Sequence, residues 1–186
     1  MAIIEAAMEA FAEFGYHDCQ VAKIARKAGI ADGTIYLYFA NKEEILISVF
    51  REKMTEVLSE MSVLVEQQDS AMDKIAALVR FHLSYFEDNP VLANFFQVQL
   101  RQSSFTIRAG ITEPLRQYYR FIETLLRAGI EEGCIRPQVD VKVAREVVFG
   151  SLDEIVSCWV FSSRKYSLAA KADDLLAIIR FGLVNQ

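Results

Sequence analysis

The stretch Gln20–Lys42, QVAKIARKAGIADGTIYLYFANK, limits the fold of this chain more than any other segment. Val21, Ile24, Ala25 and Ala28 recur at helical spacing, and Gly29 falls where that helix must stop and reverse. Asp32 to Phe39 is expected to form a second helix, too short to stand alone. Its Ile35, Tyr36 and Phe39 would pack inward, leaving Thr34, Leu37 and Tyr38 free. Asn41 suits the N-cap of a long helix, with Glu43 and Glu44 in a first turn where carboxylates meet the positive end of the dipole. Two short helices joined at a glycine make a helix-turn-helix, whose second helix enters the DNA major groove. The segment points to a DNA-binding regulator.

The rest of the chain also has helical periodicity, so an all-α fold of about nine helices is predicted. Helix one covers Ile3 to Phe14. Helix two runs from Cys19 to Ala28 with Asp18 as its cap, and helix three from Asp32 to Phe39. Helix four reaches Glu66, helix five covers Ala71 to Phe86, and helix six starts near Val91 and continues past Arg101. Pro114 either begins or kinks helix seven, which ends at Gly133. Asp140 caps helix eight, and helix nine runs from Leu168 to Leu183. The change of role falls inside helix four without a linker: residues 1–45 form a three-helix DNA-binding domain, and 46–186 a larger helical ligand-binding and dimerisation domain.

Composition narrows the function. The net charge of −5 runs against nucleic-acid binding, and residues 1–53 hold six cations against eight carboxylates. Three of those cations, Lys23, Arg26 and Lys27, cluster on one short helix. Cys19, Cys134 and Cys158 have no metal-like spacing and are expected to be free thiols in a reducing cytoplasm. The longest run without a charge, Asn89–Leu100, is too short for a membrane span. The first residues lack the basic start and cleavage site of a secretory signal. Neither His17 nor His82 has a metal-ligand spacing, and there is no phosphate-cradling loop or nucleophile elbow. No catalytic residue, metal or cofactor is expected, and His82 is expected to be a satisfied polar partner.

Aromatic residues are dense beyond the first domain, and helices five to seven also carry Arg80, Arg101, Arg108, Arg116 and Arg120. Most of the rings belong to the core, yet their number leaves room for a tunnel suited to a long apolar ligand. Arg101 and Arg108 would lie on one face of an unbroken helix and could hold phosphates at its mouth. Helices eight and nine are apolar on more than one side, which calls for a second copy of the chain. Asp153 and Glu154 need partners if buried.

The whole first quarter follows a stricter pattern, matched at Phe11, Gly15, Ile24, Ala25, Ala28, Gly29, Gly33, Thr34, Tyr36, Phe39, Lys42, Glu43 and Leu46. It resembles the DNA-binding domain of the tetracycline-repressor (TetR) family. The resemblance implies that Gln20 opens the helix abutting the phosphate backbone, with Lys23, Arg26 and Lys27 close by. Gly33 would let the recognition helix approach DNA, Thr34 would reach a base edge or phosphate, and Tyr36 and Tyr38 would offer hydroxyls to phosphates. Lys42 would favour a phosphate at the start of helix four. Ala31 stands where relatives usually have a polar residue and could touch only a thymine methyl or sugar. Asp32 stands where they often have a cation, and helix capping is its expected role. The family's basic arm before helix one would precede the first residue of this chain.

Within that family, GIADGTIYLYFANKEEILISVFREKM, QLRQSS and EVVFGSLDEIVSCWV are similar to the Bacillus-type fatty-acid-degradation regulators. The similarity implies a repressor of fatty-acid degradation genes that binds a palindromic operator as a homodimer through helices eight and nine. Long-chain acyl-CoA would release it. The acyl chain would lie among Phe81, Tyr85, Phe95, Phe96, Phe149 and Trp159, with Arg101 and Arg108 on coenzyme A and Gln99 and Gln102 on the pantetheine arm. An alternative within the family is a multidrug-type repressor of flat cations, which wants buried carboxylates. An enzyme or lipid carrier that happens to contain a helix-turn-helix is the rival from another class.

Overall fold

The computed structural model describes residues 2–99, 105–164 and 166–184. Their regular structure is helical: α1 Ala2–Phe14, α2 Val21–Ala28, α3 Asp32–Ile35, α4 Lys42–Glu66, α5 Ala71–Asp88, α6 Pro90–Asn94, α7 Phe105–Glu131, α8 Val141–Phe161 and α9 Ala172–Leu183. A π turn over Phe95–Gln99 follows α6, and a 3-10 turn over Ala169–Lys171 leads into α9.

Side chains set several of the helix starts. Asn41 Oδ1 accepts from the Glu44 N–H at 2.9 Å, while the Glu44 carboxylate accepts from the Ala40 N–H at 2.6 Å. The Ser70 hydroxyl accepts from the Asp73 N–H at 3.1 Å to start α5, and Asp140 takes the N–H groups of Lys142 and Val143 to start α8. Asp18 does not cap α2, which begins two residues later than expected with Gln20 at the N-cap. Pro114 lies buried inside α7 rather than at its start.

The chain forms two compact units. The first joins Met1–Glu56 with Pro90–Leu115, and the second joins Val57–Asn89 with Arg116–Gln186. In the first, Phe11, Ile24, Ile35, Ile45, Leu46 and Phe95 are fully buried. Phe11 and Phe95 stack with centroids 6.4 Å apart, and Phe50 lies 5.0 Å from Phe96. A buried Phe to Ala change costs about 3–5 kcal/mol, so each of these rings matters to the unit as a whole. Arg51 Nε donates to the Gly110 carbonyl at 3.2 Å. A Cβ at Gly110 would come within 2.6–2.9 Å of the Ile47 side chain, so the close approach of α7 to α4 here is fitted to a glycine. The buried Lys53 ammonium bridges Glu5 of α1 and Glu56 of α4.

In the second unit, α5 packs against α8 and α9. Its core draws Ile75, Leu78, Val79 and Leu83 from α5, Ile122 and Leu126 from α7, and Val148 and Leu152 from α8. Among the described residues, no helix is long and apolar enough to cross a membrane.

Candidate nucleic-acid and effector sites

The turn between α2 and α3 is built around Gly29, whose φ of +68° is one that L side chains rarely adopt. Its N–H closes back on the Arg26 carbonyl at 3.2 Å, and the Ile30 N–H reaches the Ala25 carbonyl at 3.0 Å. Ala31 is the N-cap of α3 and Asp32 its first helical residue, with no side-chain capping bond; Asp32 therefore does not cap as expected. The helix completes a single turn. Ile35 is fully buried and Phe39 half-buried, but Tyr36 is 56% exposed, contrary to the inward packing expected of it. The regular helix already ends at Ile35, so only that side chain reaches the seam. Ala31, Asp32, Gly33, Leu37 and Tyr38 are likewise exposed, and Thr34 is half-buried. Beyond its chain neighbours and the backbone of its own helix, no atom of the described residues lies within 4 Å of where a Gly33 Cβ would sit.

The cations nearby divide into two kinds. Arg26 stands exposed on α2, as does the neutral Gln20 at its N-cap. Lys23 is half-buried with its ammonium 3.9 Å from the centroid of the Phe14 ring. Lys27 pairs with Glu13 at 3.0 Å and Glu9 at 3.4 Å on α1, and the Glu13 hydrogen bond is foremost in raising its pKa. Lys42 donates to the carbonyls of Tyr16, His17 and Cys19 at 2.8, 3.0 and 3.2 Å. Its head group thus holds the α1–α2 loop in place, a use the sequence does not betray. Part of the acidity counted against DNA binding is also internal, since Glu5, Glu9 and Glu13 are held by Lys53 and Lys27.

In the second unit the rings form a continuous ladder. Phe81 lies 5.1 Å from Tyr85, Tyr85 6.1 Å from Phe86, and Phe86 4.8 Å from His82. His82 lies 5.9 Å from Tyr118, Tyr118 5.5 Å from Phe149, and Phe149 4.9 Å from Tyr119. Arg145 closes the series 4.4 Å over Tyr119. Three of the sequence-predicted ligand residues, Phe81, Tyr85 and Phe149, are joined in this way through residues not singled out for the site: Phe86, His82 and Tyr118. His82 Nδ1 and the Tyr118 hydroxyl are 2.7 Å apart, both fully buried. Burial pushes the His82 pKa down to about 3 and raises that of Tyr118, so both are neutral.

The other ligand candidates are placed elsewhere. Trp159 is buried and its indole donates to the Tyr166 carbonyl at 2.8 Å. Phe95 and Phe96 pack against Phe11 and Phe50 in the core of the first unit. Arg108 is exposed. Arg101, Gln102 and the side chain of Gln99 lie outside the described residues. Glu154 is exposed and accepts from the Cys158 thiol at 3.3 Å, while Asp153 is half-buried. Among the described residues, no group of three or more His, Cys, Asp or Glu side chains is arranged for a metal.

A third surface lies on α8 and α9. Val143, Val147, Ile178 and Phe181 are all more than half exposed, beside an apolar groove lined also by Val139, Leu175 and Ile179. Gly150 on α8 and Gly182 on α9 are exposed with open space where a Cβ would be.

Comparison with known proteins adds to this geometry. Residues 3–49 match the family model for bacterial regulatory proteins of the tetR family, and residues 50–182 match that for the C-terminal region of YsiA-like proteins. The fatty acid metabolism regulator protein of Bacillus subtilis (strain 168) is 42% identical over 186 residues, covering 100% of this chain and 96% of that protein. The crystal structure of the transcriptional regulator FadR from Bacillus subtilis in complex with stearoyl-CoA superposes with a TM-score of 0.94 at 43% identity, covering 98% of each chain. The fatty acid degradation regulator FadR from Bacillus halodurans gives 0.93 at 40% identity, again over 98% of each.

Proposed function

This chain belongs to the tetR family of bacterial regulatory proteins, and on that premise we propose that it is a repressor of fatty-acid degradation genes, released from its operator by long-chain acyl-CoA. The DNA contact is the face formed by the exposed residues between Ala31 and Tyr38, with Ile35 turned into the core behind them, and this is the observation that carries the reading. Around Gly33 the protein leaves open space, and Tyr36, Leu37 and Tyr38 are 56%, 81% and 66% exposed, consecutive large side chains of the kind that mark an interaction surface. Gln20 and Arg26, with Lys23 behind them, meet the phosphate backbone; Thr34, Tyr36 and Tyr38 meet base edges and phosphates. On this reading residues 1–45 carry the DNA-contacting helices and 46–186 the effector and dimerisation functions, although the 90–115 stretch completes the core of the first unit.

The effector reading is supported by the ring ladder and by the stearoyl-CoA complex of the Bacillus subtilis relative. The apolar α8–α9 surface fits a second copy of the chain, and a twofold homodimer reads a palindromic operator with recognition helices about 34–36 Å apart. A DNA-binding regulator of this kind is not an enzyme and works in the cytoplasm. The multidrug alternative asks for buried carboxylates, and the exposure of Glu154 counts against it. Ligand and DNA oppose one another by one coupling free energy. Operator gel shifts with acyl-CoA of increasing chain length test the scheme. Release by long chains is expected, and release by flat cationic dyes but by no acyl-CoA would refute it.

A further inference from the structure

His82 Nε2 is buried and has no hydrogen-bonding partner among the described residues. The other ring nitrogen, Nδ1, faces the Tyr118 hydroxyl at 2.7 Å, and two arrangements of protons are possible there. If Nδ1–H donated to the tyrosine oxygen, the hydroxyl proton and the Nε2 lone pair would both be left unmet. If the hydroxyl donates to Nδ1, only the Nε2 proton is left. Buried polar groups without partners are costly, so the second arrangement is favoured and Nε2 presents an N–H. The imidazole that carries this N–H is itself part of the ring ladder, its centroid 4.8 Å from that of Phe86, with Tyr118 and then Phe149 on its Nδ1 side.

We propose that His82 Nε2–H is the donor that binds the thioester carbonyl oxygen of the long-chain acyl effector, an inference that rests on the acyl-CoA reading of this chain. An alkyl chain against the ring ladder brings apolar surface and no acceptor. The thioester oxygen at the head of that chain is the uncharged acceptor that lies next to the alkyl part, and it satisfies the N–H without adding charge. Because burial holds the imidazole neutral, it offers no positive charge to offset the burial of a free fatty acid's carboxylate, whereas an uncharged carbonyl needs none. His82 is thus a specificity-determining residue that separates an activated acyl chain from a free one.

Calorimetric titration of the full chain with stearoyl-CoA, with the S-octadecyl thioether of coenzyme A, and with stearate tests this. The thioether keeps the chain and the nucleotide but lacks the carbonyl oxygen. Native protein should bind the thioester about ten- to a hundredfold more tightly than the thioether. His82→Phe should bind the two alike. A variant that keeps the native preference overturns the proposal, as it must if a buried water rather than the effector satisfies Nε2. Native protein that binds both coenzyme A ligands equally overturns it and leaves the acyl-CoA reading standing. Native protein that binds neither overturns both, and stearate binding as tightly as the thioester overturns the neutral-carbonyl assignment. Should the variant fold poorly, imidazole 15N spectra of the native protein serve instead, since the chain has two histidines and His17 is exposed. The His82 Nε2–H signal should move with the thioester and stay with the thioether; a signal indifferent to the thioester overturns the proposal.

Discussion

The ammonium of Lys42 donates to the main-chain carbonyl of Tyr16 at 2.8 Å and stands 4.7 Å from the centroid of the ring of the same residue. With the carbonyls of His17 and Cys19 also satisfied, this one side chain fixes the loop from which α2 departs. Hydrogen bonds to a charged group contribute roughly 1.5–3 kcal/mol. Lys42→Met should therefore lower the denaturation midpoint and weaken operator binding. It should leave the slope of log K against log salt unchanged, because no phosphate contact is removed. A slope reduced by about one ion would make Lys42 a phosphate ligand instead.

Arg26 and Lys27 are adjacent in sequence and differ in what they touch. Arg26 is exposed, whereas Lys27 is held by Glu13 and Glu9. Arg26→Ala should cut operator affinity and reduce the salt slope by about one, and Lys27→Ala should leave the slope as it is. Identical slopes for the two variants would contradict this division.

Gly110 faces Ile47 across α7 and α4. Gly110→Ala places a methyl group within 2.6–2.9 Å of the isoleucine side chain, a clash expected to cost about 1–3 kcal/mol in chemical denaturation. Ile47→Ala in the same chain should recover much of the Gly110→Ala penalty. Additive losses in the double variant would show that the contact is not the cause.

The His82 pKa of about 3 lies below the ordinary 6.5, so the folded state stays unprotonated where the unfolded chain takes up a proton. Stability contributed by the neutral form is present above pH 6.5 and is lost as pH falls toward 3, at up to about 1.4 kcal/mol per unit. Urea melts between pH 6.5 and 5 should show a shallower decline for His82→Phe than for the native chain. Parallel declines would mean that the imidazole is protonated in the fold.

Val147 and Ile178 are 54% and 69% exposed in the single chain, so Val147→Lys or Ile178→Lys should fold normally. Each should yield a monomer in sedimentation and abolish cooperative operator binding. A dimer that persists in both variants would move the interface away from α8 and α9.

The helix-turn-helix was legible because its signals are local. Gly29 ends α2, Asn41 starts α4 just beyond the motif, and both act within a few residues. Tyr36 was misplaced because helical periodicity was extended past Ile35, where the regular turn stops. The roles of Lys27 and Lys42 were hidden for a different reason. Their partners lie 14 to 26 residues away, and a cation on a helix looks the same in sequence whether it faces a phosphate or a carbonyl. Likewise, the composition revealed abundant rings but not which rings meet, and the His82–Tyr118 pair spans 36 positions. The π turn at Phe95–Gln99 has no signature in FFQVQ.

The stacking of Phe95 on Phe11 bears on modularity. The DNA-reading end is assembled from two separated stretches of chain, so an N-terminal fragment ending near residue 56 would lack the rings that complete its interior. Fusing that fragment to a foreign sensor should give an insoluble or molten product. A working chimera would have to carry the 90–115 stretch along with it, and recognition and sensing in this protein could then be exchanged only by splicing at two places.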